Sequence, residues 1–215
     1  MGSLDPLNDY IQAALGHFAQ VDAAREQAIR LSRELIRTCA SAIQRVHRGD
    51  LEASRKGLDE ARAISKELVE VTSPYTELSD SGLVTDALKE YAEGETFLAC
   101  VTGLELPSPE ELGVAYATYL NGLAEAIGEL RRHVLELLRA SDAEGASEAL
   151  AAMETIYSSL MNVHYPDAIL QGLRHRADAA RGMLERTRGE VTSAVQQARL
   201  EAELRKAREL LEGGA

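Results

Sequence analysis

Two pairs of glutamates are the residues of this chain best placed to do chemistry. Glu90 and Glu93 lie in Leu88-Lys-Glu-Tyr-Ala-Glu93, and Glu125 and Glu129 in Glu125-Ala-Ile-Gly-Glu129. Spacings of three and four residues make the members of each pair neighbours on one helix face. Four carboxylates drawn to one point would make an oxygen-rich site suited to a hard divalent cation. Spacing alone leaves a second reading open, because glutamate is also an ordinary residue of solvated helix surfaces.

The helices that must carry these pairs can be read from apolar periodicity. Tyr116, Tyr119, Leu120, Leu123, Ile127, Leu130, Val134, Leu137 and Leu138 form one stripe that calls for burial, with Glu125 opposite it and Glu129 beside it. Gly122 and Gly128 flank Glu125 at three residues on either side. Each costs a helix interior about 1 kcal/mol relative to alanine, which suggests that another helix or a ligand approaches there. Glu129 also has Arg132 and His133 within reach as simple ion-pair partners. Glu90 flanks an apolar side made by Val84, Ala87, Leu88, Tyr91, Ala92 and Leu98, with Glu93 further round. A helix apolar over so much of its circumference packs on more than one neighbour and places such carboxylates in a crevice.

Along the rest of the chain the breaks are few. After a short opening segment to about Phe18, with residues 1–20 peripheral, a helix is expected from about Val21 to His47, stopped by Gly49-Asp50. Another spans about Leu51 to Val71 and ends before Ser73-Pro74, since the residue before proline avoids the α region. A third follows Ser79-Asp-Ser-Gly82 and runs to about Thr102. With Ser108 as N-cap and Pro109 at the first turn, the next runs to about Ala140. One more covers about Ala146 to Asn162, and a very long last helix starts at about Pro166 and reaches Leu211. The fold class is all-α, a single domain of six to seven helices over residues 1–215.

Composition narrows the function classes. Pro is scarce and Trp absent among 215 residues, as suits helices, and no apolar run reaches the ~18–20 residues of a membrane span. Cys39 and Cys100 are isolated and read as reduced core thiols of a cytoplasmic protein. A net charge of −12 argues against indiscriminate nucleic-acid binding but not against a local basic face. Arg30, Arg33, Arg37, Arg45 and Arg48 make such a stripe on the first long helix. Glu26 and Glu34 interrupt it, and a solvated ladder of ion pairs fits the same residues. The series Arg174, Asp178, Arg181, Glu185 and Arg188 alternates in sign and reads as structural. His17, His47, His133, His164 and His175 form no HxxxH or HExxH pattern, which argues against zinc.

Taken in order, these segments resemble the translin family, in particular its translin-associated factor X branch of archaeal or prokaryotic type. Ala24-Arg-Glu-Gln-Ala-Ile-Arg-Leu-Ser-Arg-Glu34 with Ile43-Gln-Arg-Val-His-Arg-Gly49 resembles the family's first block, and Ala87-Leu-Lys-Glu-Tyr-Ala-Glu93 its second. Tyr119-Leu-Asn-Gly-Leu-Ala-Glu-Ala-Ile-Gly-Glu-Leu-Arg-Arg132 resembles the most distinctive one, followed by Tyr165-Pro166 and Gly172-Leu-Arg-His-Arg-Ala-Asp178. The resemblance implies a seven-helix protomer in a homo-oligomeric, octameric shell that binds single-stranded or short structured RNA, or single-stranded DNA. In this branch it also implies an endoribonuclease dependent on Mg2+ or Mn2+, with Glu90, Glu93, Glu125 and Glu129 as catalytic and metal-holding carboxylates. The first acid of the third block is usually Asp in that family and is Glu125 here, and Gly94 stands where Ala is frequent. Arg30, Arg33 and Arg37 are the candidates for phosphate contacts. A non-catalytic nucleic-acid-binding shell is the alternative on the same fold.

Overall fold

The computed structural model describes residues 6–213, and these are all helix and short connections, with no strand among them. Six long helices carry the architecture: α1 (Leu7–His47), α2 (Leu51–Thr72), α4 (Gly82–Thr102), α6 (Tyr116–Arg139), α7 (Ala143–Leu160) and α9 (Leu173–Gly213). One-turn helices α3 (Thr76–Ser79), α5 (Pro109–Leu112) and α8 (Asp167–Leu170) sit in the connections. Helices α1 and α2 form a hairpin through Arg48-Gly49-Asp50, where Gly49 is left-handed and Asp50 caps α2 by accepting from the Ala53 N–H. Helix α4 lies against both of them and against α6, while α6, α7 and α9 pack on one another. Helix α4 is thus the element shared by both groups, and every residue from Tyr91 to Ala99 is buried.

Three boundaries depart from the expectation drawn from sequence. The first helix starts at Leu7 instead of Val21, because nothing between Leu7 and Val21 breaks the helical pattern; its first turns simply lie beyond the core, all exposed. Ser108 caps as expected, in a reciprocal box with Glu111, but the helix ends after one turn at left-handed Gly113 and restarts at Tyr116. The last long helix begins at Leu173, not Pro166, after Gln171 and Gly172 turn through positive φ and end α8. The expected buried stripe of α6 also stops short at its start, where Tyr116 is exposed and donates to Glu110. Cys39 is buried and Cys100 half-buried, both free thiols.

Candidate metal centre

A cavity of about 700 Å3 opens between α1, α4, α6 and α9, and all four glutamates line it. Helix α4 presents Glu90 and Glu93, α6 presents Glu125 and Glu129, α1 contributes Ala40, Ile43 and Gln44, and α9 closes the side with His175, Arg176 and Ala179. The two acidic helices meet at Gly122. A Cβ there would lie 2.8 Å from the Ala92 Cβ and 3.0 Å from the Lys89 carbonyl oxygen, so the glycine allows α6 to rest on the α4 backbone. One turn on, Glu125 then faces Glu90 and Glu93. Gly128 meets nothing within 4 Å, so close approach explains only one of the two bracketing glycines.

Glu90, Glu93 and Glu125 each offer an oxygen, and these oxygens lie within 4.8 Å of one another. Glu93 is 7% exposed, and neither it nor Glu90 forms an ion pair or side-chain hydrogen bond among the described residues. Burial, with Glu90 and Glu125 alongside, pushes the Glu93 carboxyl up to about 8; burial and Glu125 raise Glu90 as well. Helix α4 holds an internal comparison. Glu95 is even more buried, at 2%, yet both its oxygens accept from the Arg55 guanidinium at 2.8 Å.

Glu129 stands apart from the other three. Its Oε2 is 2.5 Å from His47 Nε2, and Arg132 approaches the same oxygen at 3.9 Å. The hydrogen bond from His47 holds the Glu129 carboxyl below the ordinary carboxylate range although the group is half-buried. Glu125 is engaged by two cations that the sequence reading did not single out. Its Oε1 lies 2.9 Å from Lys89 Nζ and 2.7 Å from Arg176 Nε. Arg176 is aimed there by Asn121, whose Oδ1 accepts from it at 3.1 Å, and by the Gln171 carbonyl at the α8–α9 turn. Lys89 adjoins Glu90 in sequence, so helical position could have indicated it; Arg176, some fifty residues from Glu125, left no such local signal. Arg30, Arg33 and Arg37 are exposed on α1 and form no ion pair among the described residues. Helical spacing puts Arg33 and Arg37 on the face that carries Ala40 and Gln44 into the cavity.

The carboxylate set fits a hard divalent cation: oxygen ligands only, three of them convergent, with one buried and uncompensated. The fold also matches known proteins. The crystal structure of AfC3PO superposes with a TM-score of 0.82 at 32% identity, covering 89% of this chain and 99% of that one. The chain belongs to the translin family. A complex of AfC3PO with duplex RNA matches at a TM-score of 0.78 and 34% identity, covering 89% of this chain and 98% of that one. Apo-NeC3PO shares the fold at a TM-score of 0.74 and 22% identity, over 90% and 98% of the two chains. In sequence, an uncharacterized protein of Methanocaldococcus jannaschii is 30% identical over 199 residues, 92% of this chain and 88% of its own, in keeping with the archaeal-type branch of the translin family. No protein-family model matches the chain. No helix among the described residues is long and apolar enough to cross a membrane.

Proposed function

We propose that this translin-family protein is a divalent-metal-dependent endoribonuclease that cuts single-stranded or short structured RNA inside a homo-oligomeric shell, most simply an octamer. One observation carries the reading. Glu93 is buried beside Glu90 and Glu125 without a cationic partner, two residues from a Glu95 that Arg55 of α2 neutralises. Burying an uncompensated carboxylate costs several kcal/mol that packing does not require, and a cation held by Glu90, Glu93 and Glu125 removes that cost. Bound there, Mg2+ or Mn2+ supplies Lewis acidity toward a phosphate oxygen and toward an attacking hydroxyl or water.

The chain's own groups take the remaining roles. Glu129, kept ionised by His47, lines the cavity wall and accepts the proton of the nucleophile, either a water or the ribose 2′-hydroxyl. Lys89 and Arg176, which both meet Glu125, would hold the non-bridging oxygens of a phosphate brought to these carboxylates. Arg30, Arg33 and Arg37 extend a basic track along α1 for the flanking backbone. Such contacts do not read the 2′-hydroxyl, so single-stranded DNA would also bind. The AfC3PO–duplex RNA complex, at 34% identity, supports RNA as the ligand.

A non-catalytic RNA-binding shell is the second reading, favoured by the two cations already seated on Glu125. Incubating the purified protein with end-labelled single-stranded RNA in Mg2+, Mn2+ or EDTA separates the two. The proposal expects internal cleavage with either metal and none in EDTA. Binding without cleavage in all three would leave the shell, and absence of binding would end both.

A further inference from the structure

On the far side of His47 lies a second group of ligand atoms that the carboxylate centre does not use. His47 from α1, His133 from α6 and Glu136 one turn beyond His133 each offer one ligand atom, all within 4.8 Å of one another. They border a separate cavity of about 660 Å3 that is also lined by Gln44, Arg48, Gly49 and Arg139. The local spacing of the five histidines gave no hint of this, because His47 and His133 come together only when α1 and α6 are packed against α4.

We infer that His47, His133 and Glu136 form a second, nitrogen-rich metal site that takes Zn2+ or a similar borderline divalent cation. Two imidazoles and one carboxylate are a ligand set zinc favours, with a fourth position left to solvent. Imidazole selects such metals over Mg2+, so the two sites differ in the ion they prefer. Zinc–ligand bonds of about 2.0–2.1 Å make the edges of a tetrahedron roughly 3.3 Å. The His47 Nδ1–Glu136 Oε2 edge is already 3.0 Å, and the 4.8 Å limit on the others is within reach of side-chain rotation. Arg132 approaches Glu136 through Oε1, which leaves Oε2 turned to the histidine.

The surroundings of His47 favour this use. Its side chain is 3% exposed and its Nε2 faces the Glu129 carboxylate, the arrangement that fixes the tautomer of a metal-bound histidine and leaves Nδ1 as the donor atom. Filling the site fixes the ring that orients Glu129, so occupancy here bears on the carboxylate centre.

Co2+ alone is the probe, because its visible absorption reports nitrogen ligation and low coordination number, and Zn2+ is then added as competitor. Full-length wild-type protein is expected to develop strong Co2+ bands that Zn2+ reverses. His133→Ala and, separately, Glu136→Gln should weaken Co2+ binding about tenfold or more, while Glu93→Gln keeps the bands. Circular dichroism confirms that each variant is folded, and with two partly exposed positions one folded variant suffices. The test does not depend on RNA cleavage. Absent bands in wild type, bands unchanged in both ligand variants, or bands lost in Glu93→Gln would overturn the proposal.

Discussion

Glu93 and Glu95 stand two residues apart on the same buried stretch of α4, one bare and one clasped by Arg55. The difference has a consequence for pH. With the folded carboxyl of Glu93 raised to about 8 from an unfolded value near 4.5, the folded state binds the extra proton. Stability associated with Glu93 is therefore fully present below about pH 4.5 and lost as pH rises through 8. Metal-free Glu93→Gln protein should match wild type near pH 5 and exceed it at pH 9 by on the order of a few kcal/mol. Thermal melts of both proteins in EDTA across that range check this, and parallel curves would contradict it. In sequence, the four glutamates were legible because helical spacing is local. Which of them would be bare, and that Glu129 would turn to His47 while Glu125 met Arg176, was not, since those partners come from α1 and α9.

At the scale of elements, periodicity gave the helices because each long one has a face to bury, and Ser108 caps where expected, whereas Ser81 at the start of α4 makes no side-chain cap. Two of the three misplaced boundaries share a cause. Gly113 and the Gln171-Gly172 pair adopt left-handed backbone, and whether a given Gly ends a helix or sits inside it is decided by what packs around it. The same holds for the two glycines of α6. Gly122→Ala would press its Cβ on the α4 backbone and should destabilise the protein by about 1–3 kcal/mol, while Gly128→Ala, facing open space, should stabilise it by up to about 1 kcal/mol. Denaturant titrations of the two variants test the pair. Equal effects would mean that α6 does not rest on α4 at Gly122, and with that the geometry joining the two glutamate pairs would fail.

For the whole molecule, the surface left uncovered is the informative part. Leu7, Tyr10, Ile11, Leu15 and Phe18 are half to two-thirds exposed on the first turns of α1 and fall within about 140° of its circumference. Leu200, Leu204, Leu210 and Leu211 are likewise exposed near the end of α9. Apolar stripes of this kind are what neighbouring subunits of a shell would cover. Light scattering should give a mass of several subunits, eight in the proposed assembly, and Ile11→Lys with Phe18→Lys should lower it; a wild-type monomer at micromolar concentration would refute the shell. Within such a shell a net charge of −12 and an RNA ligand are compatible, provided the basic track on α1 lines the interior. The most direct measurement of the central claim compares RNA cleavage in Mn2+ with RNA binding in EDTA for wild type, Glu93→Gln and Glu125→Gln. A metal-dependent nuclease predicts cleavage reduced by about 100-fold or more in both variants, with binding unchanged or tighter as repulsion of phosphate is relieved. Undiminished cleavage in both would contradict it.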